Sequence, residues 1–186
     1  MRSKWTLGSA LLLAACATAT KGSPAREYVS PDGNFRAVVV PLANALHGAG
    51  ESRVELHSVH GTTLLIHSYA SEDGEHGFWI ERASWTPDSQ FFVYSMSSSG
   101  GHQPWRAPID VISVSGPALS SLDDHVGAIG DSDFTVAGPD LVRATVFQGE
   151  EYSGRVVEVS LAGTVSSPLP TPTPPPAPAP APSPGP

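Results

Sequence analysis

Cysteine is almost absent from this 186-residue chain: the single Cys16 can form no internal disulfide, and there is no C-x-x-C pair for zinc or redox chemistry. Aromatic residues make up 8% and charged residues 15% of the chain, with ten Lys+Arg set against eighteen Asp+Glu. The resulting formal charge of −8 repels phosphate backbones and excludes nucleic acid as the partner. The apolar stretch at the N-terminus, Trp5 to Ala15, falls short of the roughly 20 residues that cross a bilayer as a helix. Also missing are H-E-x-x-H, H-x-E, the G-x-S-x-G elbow, the EF-hand order D-x-[DN]-x-[DN]-G and any Gly-rich phosphate loop. The sequence therefore assigns no cofactor, no metal ligand and no catalytic residue.

What is present begins with an address. Arg2 and Lys4 ahead of the short apolar stretch read as an export signal over residues 1–15. The stretch closes with Leu13-Ala14-Ala15-Cys16, which resembles the bacterial lipobox, and the resemblance implies a lipidated Cys16 (diacylglyceryl and palmitate chains) after cleavage ahead of it. Plain secretion, with cleavage at Ala17-Thr18-Ala19, is the alternative; both place the domain outside the cytoplasm. A lipid anchor makes the membrane a partner, since each buried CH₂ contributes roughly 0.8 kcal/mol and several chains on one residue hold firmly. By the same resemblance, Ala17 where Asp is the usual retention signal implies the outer membrane in a two-membrane cell. Loss of Arg2 and Lys4 with the signal would take the charge from −8 to −10.

Residues 16–26 are small and polar, the composition of a lipidated tether. Residues 168–186 hold eleven of the nineteen prolines, so that tail is expected to be polyproline II or disordered. Between them, residues 27–167 form a stretch of about 140 residues, enough to bury a core as one domain. Runs rich in Val, Ile, Thr, Phe and Tyr predict strands over Phe35–Pro41, Arg53–Val59, Thr62–Tyr69, Phe78–Trp85, Gln90–Met96, Ile109–Val114, Leu141–Gln148 and Arg155–Leu161. No window sustains the i, i+3, i+4, i+7 stripe of a helix. Val54 and Leu56 alternate with Glu55 and His57, and Val157 and Val159 with Glu158 and Ser160, so these strands carry one wet face and belong to antiparallel sheets.

An internal repeat accompanies the strands. Ser30-Pro31-Asp32-Gly33-Asn34-Phe35 matches Thr86-Pro87-Asp88-Ser89-Gln90-Phe91, and a degenerate third copy begins at Gly138-Pro139-Asp140, the three prolines being 56 and 52 residues apart. In each, Pro presets φ, Asp can accept from the backbone two residues on, and a small residue reverses the chain. The motif, with Trp85 before its second copy, resembles the S-P-D-G signature of TolB-like and other WD40-related β-propeller blades. The resemblance implies an all-β fold of antiparallel sheets built from two to three propeller-blade-like repeats. A closed propeller needs about four to eight blades, so a partial propeller or a small β-sandwich is expected, with the blades pairing within one chain or between chains. The stretches 51–55, 71–77 and 97–105 also resemble a family of small uncharacterised bacterial exported proteins; that resemblance carries no activity and no site residue.

The segment Ser97–Pro108 combines a Ser/Gly run with His102, Gln103, Trp105 and Arg106 between two prolines. Trp and Arg are the side chains most frequent at binding hot spots, so these four are candidate binding residues, with Asp73 and His76 joining them if the two loops meet. The alternative is a hairpin loop whose Trp105 folds back as a lid on the core. The histidines are poorly spaced for a metal, since residues three apart on a strand, such as His57 and His60, face opposite sides. Solvated turns account for Glu72-Asp73-Gly74-Glu75, Asp123-Asp124, Asp131 and Asp133. The expected function is a non-catalytic binding or assembly module of the cell envelope, its partner an envelope protein or glycan. The alternative is a metal-dependent or hydrolytic envelope enzyme using the loop histidines and carboxylates.

Overall fold

The computed structural model describes residues 24–42, 50–148 and 153–164. The export signal, Cys16, most of the tether and the proline-rich tail lie outside the described residues. The first strand, β1 (Arg26–Val29), begins inside the stretch assigned to the tether. With β2 (Phe35–Leu42), β3 (Glu51–Ser58) and β4 (Thr63–Ser68) it forms sheet I, in the order β1-β2-β3-β4. Sheet II repeats that order with β5 (Phe78–Trp85), β6 (Phe91–Ser98), β7 (Ile109–Ser113) and β8 (Ala118–Ser121). Sheet III contains β9 (Thr135–Val136), β10 (Leu141–Gln148) and β11 (Ser153–Ser160), with β10 in the middle. Every neighbouring pair is antiparallel. Among the described residues the helical content is two single turns, α1 (Asp123–Val126) and α2 (Leu161–Thr164).

The strand alternation sorts side chains into two cores. Ala37, Val39, Val54 and Leu56 of sheet I pack on Ile80, Phe92, Tyr94 and Ile112 of sheet II. Val93, Ile109 and Val111, on the opposite face of sheet II, pack on Val142, Ala144 and Val159 of sheet III. The middle strands of sheet II are thus covered on both faces, which is why consecutive residues are buried over 92–96 of β6 and throughout β7. The repeats pair within one chain as an open stack of three sheets. On the outer face of sheet I, Arg53 pairs with Glu55 at 2.6 Å and Glu55 with His57 at 3.0 Å, leaving that face wet. Hydrogen bonds stitch sheet I to sheet II, among them the Trp85 indole N–H to the Tyr28 carbonyl at 2.9 Å, the Arg26 guanidinium to the Ile80 and Glu81 carbonyls, and the Ile80 N–H to Ser52 Oγ at 3.2 Å.

The repeated turns explain how each second strand starts. In the first, the Ser30 hydroxyl donates to Asp32 Oδ1 (2.6 Å), which also accepts the Asn34 N–H (3.0 Å), while Phe35 N–H donates back to Ser30 Oγ (2.9 Å). Thr86, Asp88, Gln90 and Phe91 make the same three bonds at 2.7, 3.2 and 3.0 Å. Gly33 (φ 73°) and Ser89 (φ 64°) hold the left-handed position that lets the chain reverse. The third turn departs from the sequence alignment. Ala137 N–H bonds Leu141 C=O across one residue fewer, and the Asp140 carboxylate accepts from Ser160 instead of capping its own turn.

Three strands escape the sequence patterns. β1 is short and charged, β8 (Ala118-Leu119-Ser120-Ser121) has weak strand propensity, and β9 has two residues.

Asp110 is the polar exception inside the first core. It faces Tyr94 across β6 and β7, and accepts a hydrogen bond from Tyr69, whose hydroxyl lies 2.7 Å from that of Tyr94. Burial pushes the Asp110 carboxyl up to about 6, the nearby charges of Asp123 and Asp124 adding to the rise and hydrogen bonds from Tyr69 and Ser121 opposing it. Because the folded value lies above the unfolded one, Asp110 stabilises the fold when protonated, and its contribution fades as pH rises from about 4 to about 6. Asp110→Asn is expected to match the wild type near pH 4 and to exceed it by up to about 3 kcal/mol at pH 7, read as paired denaturation curves across pH.

Candidate functional site

The two loops singled out in the sequence, 71–77 and 97–108, meet at one carboxylate, the first two residues of the second lying at the end of β6 and the loop itself beginning at Ser99. Glu51 opens β3 and is fully buried. Its Oε1 accepts from the Ser71 hydroxyl (2.5 Å), the Gly77 N–H (2.8 Å) and the Ser99 hydroxyl (3.1 Å), and its Oε2 from the Ser71 N–H (2.9 Å). A buried carboxylate persists only where donors surround it, so Glu51 fixes both loops to the start of β3. Gly77 is required there: a Cβ would lie 2.2 Å from both Glu51 Oε1 and the Tyr69 carbonyl oxygen.

The first loop is a further copy of the repeated turn. The Ser71 hydroxyl shares its one hydrogen between Glu51 Oε1 (2.5 Å) and Asp73 Oδ1 (2.9 Å), Glu75 N–H donates to Asp73 Oδ1 (3.0 Å), His76 N–H donates to Ser71 Oγ (3.1 Å), and Gly74 takes φ 74°. The identity of Ser71-x-Asp73-Gly74 with Ser30-x-Asp32-Gly33 was available in the sequence, where the stretch reads instead as an acidic cluster. The Glu75 N–H, the Ser71 hydroxyl and the His76 ring together hold the Asp73 carboxyl well below the usual carboxylate range.

His76 Nδ1 lies 2.5 Å from Asp73 Oδ2, and the His76 ring stacks on His102 with centroids 4.5 Å apart and planes 1° from parallel. Gly100 makes that approach feasible, since a Cβ there would stand 2.4 Å from the Glu75 carbonyl oxygen and 2.8 Å from His102. Asp73, His76 and His102 are therefore brought together. Trp105 keeps 47% of its surface in solvent and does not close over the core. Gln103 is exposed and its carbonyl accepts the Arg106 N–H at 3.1 Å. Arg106 turns inward, 3.4 Å from buried Asp123 Oδ1, so it anchors the loop. Asp123 also accepts the backbone N–H groups of Ile109 (3.2 Å) and Ile129 (3.3 Å).

The geometry suits recognition. Two parallel imidazoles direct their ring lone pairs in parallel planes that do not converge on one point. Among the described residues no group of three His, Cys, Asp or Glu could hold a metal ion. Ser99, drawn near His102 in sequence, spends its hydroxyl on Glu51 and on the Gly77 carbonyl, both 3.1 Å away. His57 bonds Glu55 and Thr63, and His60 lies in the turn beyond β3. Cavities of about 400 Å³ (Pro24, Arg26, Val39, Trp79 and neighbours) and about 340 Å³ (Arg82, Asp133, Arg143, Val156 and neighbours) are lined by none of the loop residues. Glu51 was missed because its donors lie 20 to 48 residues away, and no local pattern signals them.

Comparison with models of known protein families and with curated proteins finds no match.

Glu51→Gln would place an amide NH₂ against a ring of donors. It is expected to cost about 3 kcal/mol in denaturant unfolding and to release both loops, seen as faster amide exchange at Gly77 and Ser99.

Proposed function

We propose that the protein is a lipid-anchored envelope module that binds an envelope protein or glycan without catalysing a reaction. The observation that carries this reading is the pair of loops tied to Glu51, which bring His76 and His102 into a stack, His102 lying on the same loop segment that carries exposed Trp105 three residues later. Flat π faces bounded by hydrogen-bonding groups suit a sugar ring or a protein side chain, and prior rigidity lowers the ordering cost of binding. The Leu13-Ala14-Ala15-Cys16 sequence supports the anchor, and the matching Ser30-Pro31-Asp32 and Thr86-Pro87-Asp88 turns ahead of β2 and β6 support the reading of sheets I and II as copies of one blade-like unit.

His102→Ala/Trp105→Ala is expected to lose the partners captured from envelope extract while its melting temperature stays within a few degrees of wild type, because neither side chain enters a core. Equal capture by both forms would remove the loop site. Cys16→Ser is expected to abolish radiolabelled palmitate incorporation and move the protein from the membrane to the soluble fraction. Persistent membrane association of that variant would overturn the anchor.

A further inference from the structure

The seam between sheets I and II ends in a cavity whose lining follows from the strand register. Alternation puts Ala37, Val39 and Pro41 of β2 on one face, and Ser52, Val54 and Leu56 of β3 on the same face, because Pro41 opposes Ser52 and Val39 opposes Val54. Arg26 of β1 joins them, lying opposite Val39. Val54 and Leu56 pack into the first core, whereas Ser52 offers only a hydroxymethyl group and Pro41 a short ring, which leaves the seam underfilled beside Ile80. A cavity of about 400 Å³ remains there, lined also by Trp79 and Ile80 of β5. That volume falls within the roughly 300–1,000 Å³ of small-ligand sites.

Two polar groups of this lining have hydrogen-bonding capacity to spare. Ser52 is 4% exposed. Its Oγ accepts the Ile80 N–H at 3.2 Å, and among the described residues its own hydrogen has no acceptor. A buried hydroxyl ordinarily gives that hydrogen to a partner. Arg26 is the second such group. Its two terminal nitrogens donate to the carbonyls of Glu81 (3.1 Å) and Ile80, leaving the Nε–H and one hydrogen on each terminal nitrogen. Arg36, Arg53, Arg82, Arg106 and Arg143 each pair with a carboxylate. Arg26 pairs with none among the described residues, in a chain whose formal charge is −8. The two carbonyls fix the guanidinium in place without neutralising it.

We propose that this cavity is a binding site for an apolar monocarboxylate. The carboxylate accepts from the remaining N–H groups of Arg26 and from the Ser52 hydroxyl, while the apolar body lies against Val39, Pro41, Trp79 and Ile80. Hydrogen bonds from a guanidinium to a carboxylate are roughly twice as strong as neutral ones, and they orient the ligand. One anionic head answers one uncompensated cation; a second charge on the ligand would meet apolar walls and lose its hydration. The site shares no residue with the 71–77 and 97–108 loops, so it is independent of the partner surface proposed there. An aliphatic chain and an aromatic ring can both carry such a head.

NMR titration of the isotope-labelled full chain at neutral pH tests this. Octanoate and naphthoate are the acids, octanol and naphthylmethanol their uncharged counterparts, and acetate the head without a body. At least one acid is expected to give saturable shifts at the Trp79 indole N–H, the Arg26 Nε–H and the Ser52 and Ile80 amides, with none from acetate at equal concentration. The tighter acid tells whether a chain or a ring is preferred, either supporting the site. That acid is expected to bind roughly 10-fold tighter than its alcohol, and Arg26→Gln to remove the difference. No saturable shift at these residues with either acid, or an acid that binds no tighter than its alcohol, would overturn the proposal. Should Arg26→Gln fail to fold, the acid-to-alcohol ratio in the wild type decides alone.

Discussion

The middle strands of sheet II, β6 and β7, are buried on both faces, and the rest of the molecule is arranged around that fact. Phe92 and Tyr94 need sheet I as a cover, Val93 and Val111 need sheet III, and burying each large apolar side chain contributes roughly 1.5–3 kcal/mol. A sheet covered on both faces must also satisfy its backbone internally, which the antiparallel ladders of β5 to β8 accomplish. The outer face of sheet I is different. Arg53, Glu55 and His57 pair with one another there, and a face studded with ion pairs gains little from a further layer.

Polar groups inside this apolar stack anchor the surface. Glu51 gathers donors from three segments, and Asp123 gathers two backbone N–H groups and Arg106. Both carboxylates act on the same region from opposite ends: Glu51 holds the beginning of the 99–106 segment and Asp123 holds its end. His102 and Trp105 are thereby mounted on a loop secured at two points, and His76 stacks on His102 from the neighbouring loop. Such mounting leaves the proposed binding surface little conformational freedom to lose.

The turn scaffold shows how one chemical device is reused. Ser or Thr, Asp two residues on, and a residue at positive φ appear before β2, before β6 and at residues 71–74. The first two copies also touch, Asp32 N–H donating to Ser89 Oγ at 3.0 Å, so adjacent sheets are aligned by their turns as well as by their cores. In the third sheet the scaffold shortens and Asp140 is freed to bond Ser160 on β11, which ties the exit of that strand to the entry of β10.

Much of this was legible in the residues themselves. The eight long strands are marked by alternation or by apolar runs between Gly, Pro and Asp, and two of the turns are marked by Pro-Asp with a small residue following. These signals are local, and a strand or turn is specified by residues a few positions apart. The short strands β1, β8 and β9 carry too few residues to show a period and exist because a longer neighbour offers them an edge. Of the candidate site, the sequence named the candidate side chains: Asp73, His76, His102, Gln103, Trp105 and Arg106. Tertiary structure alone decided that His76 stacks on His102, that Arg106 turns inward to Asp123, and that Glu51 governs both loops. The reason is that a buried carboxylate takes its donors from wherever the fold brings them, and those donors are dispersed along the chain.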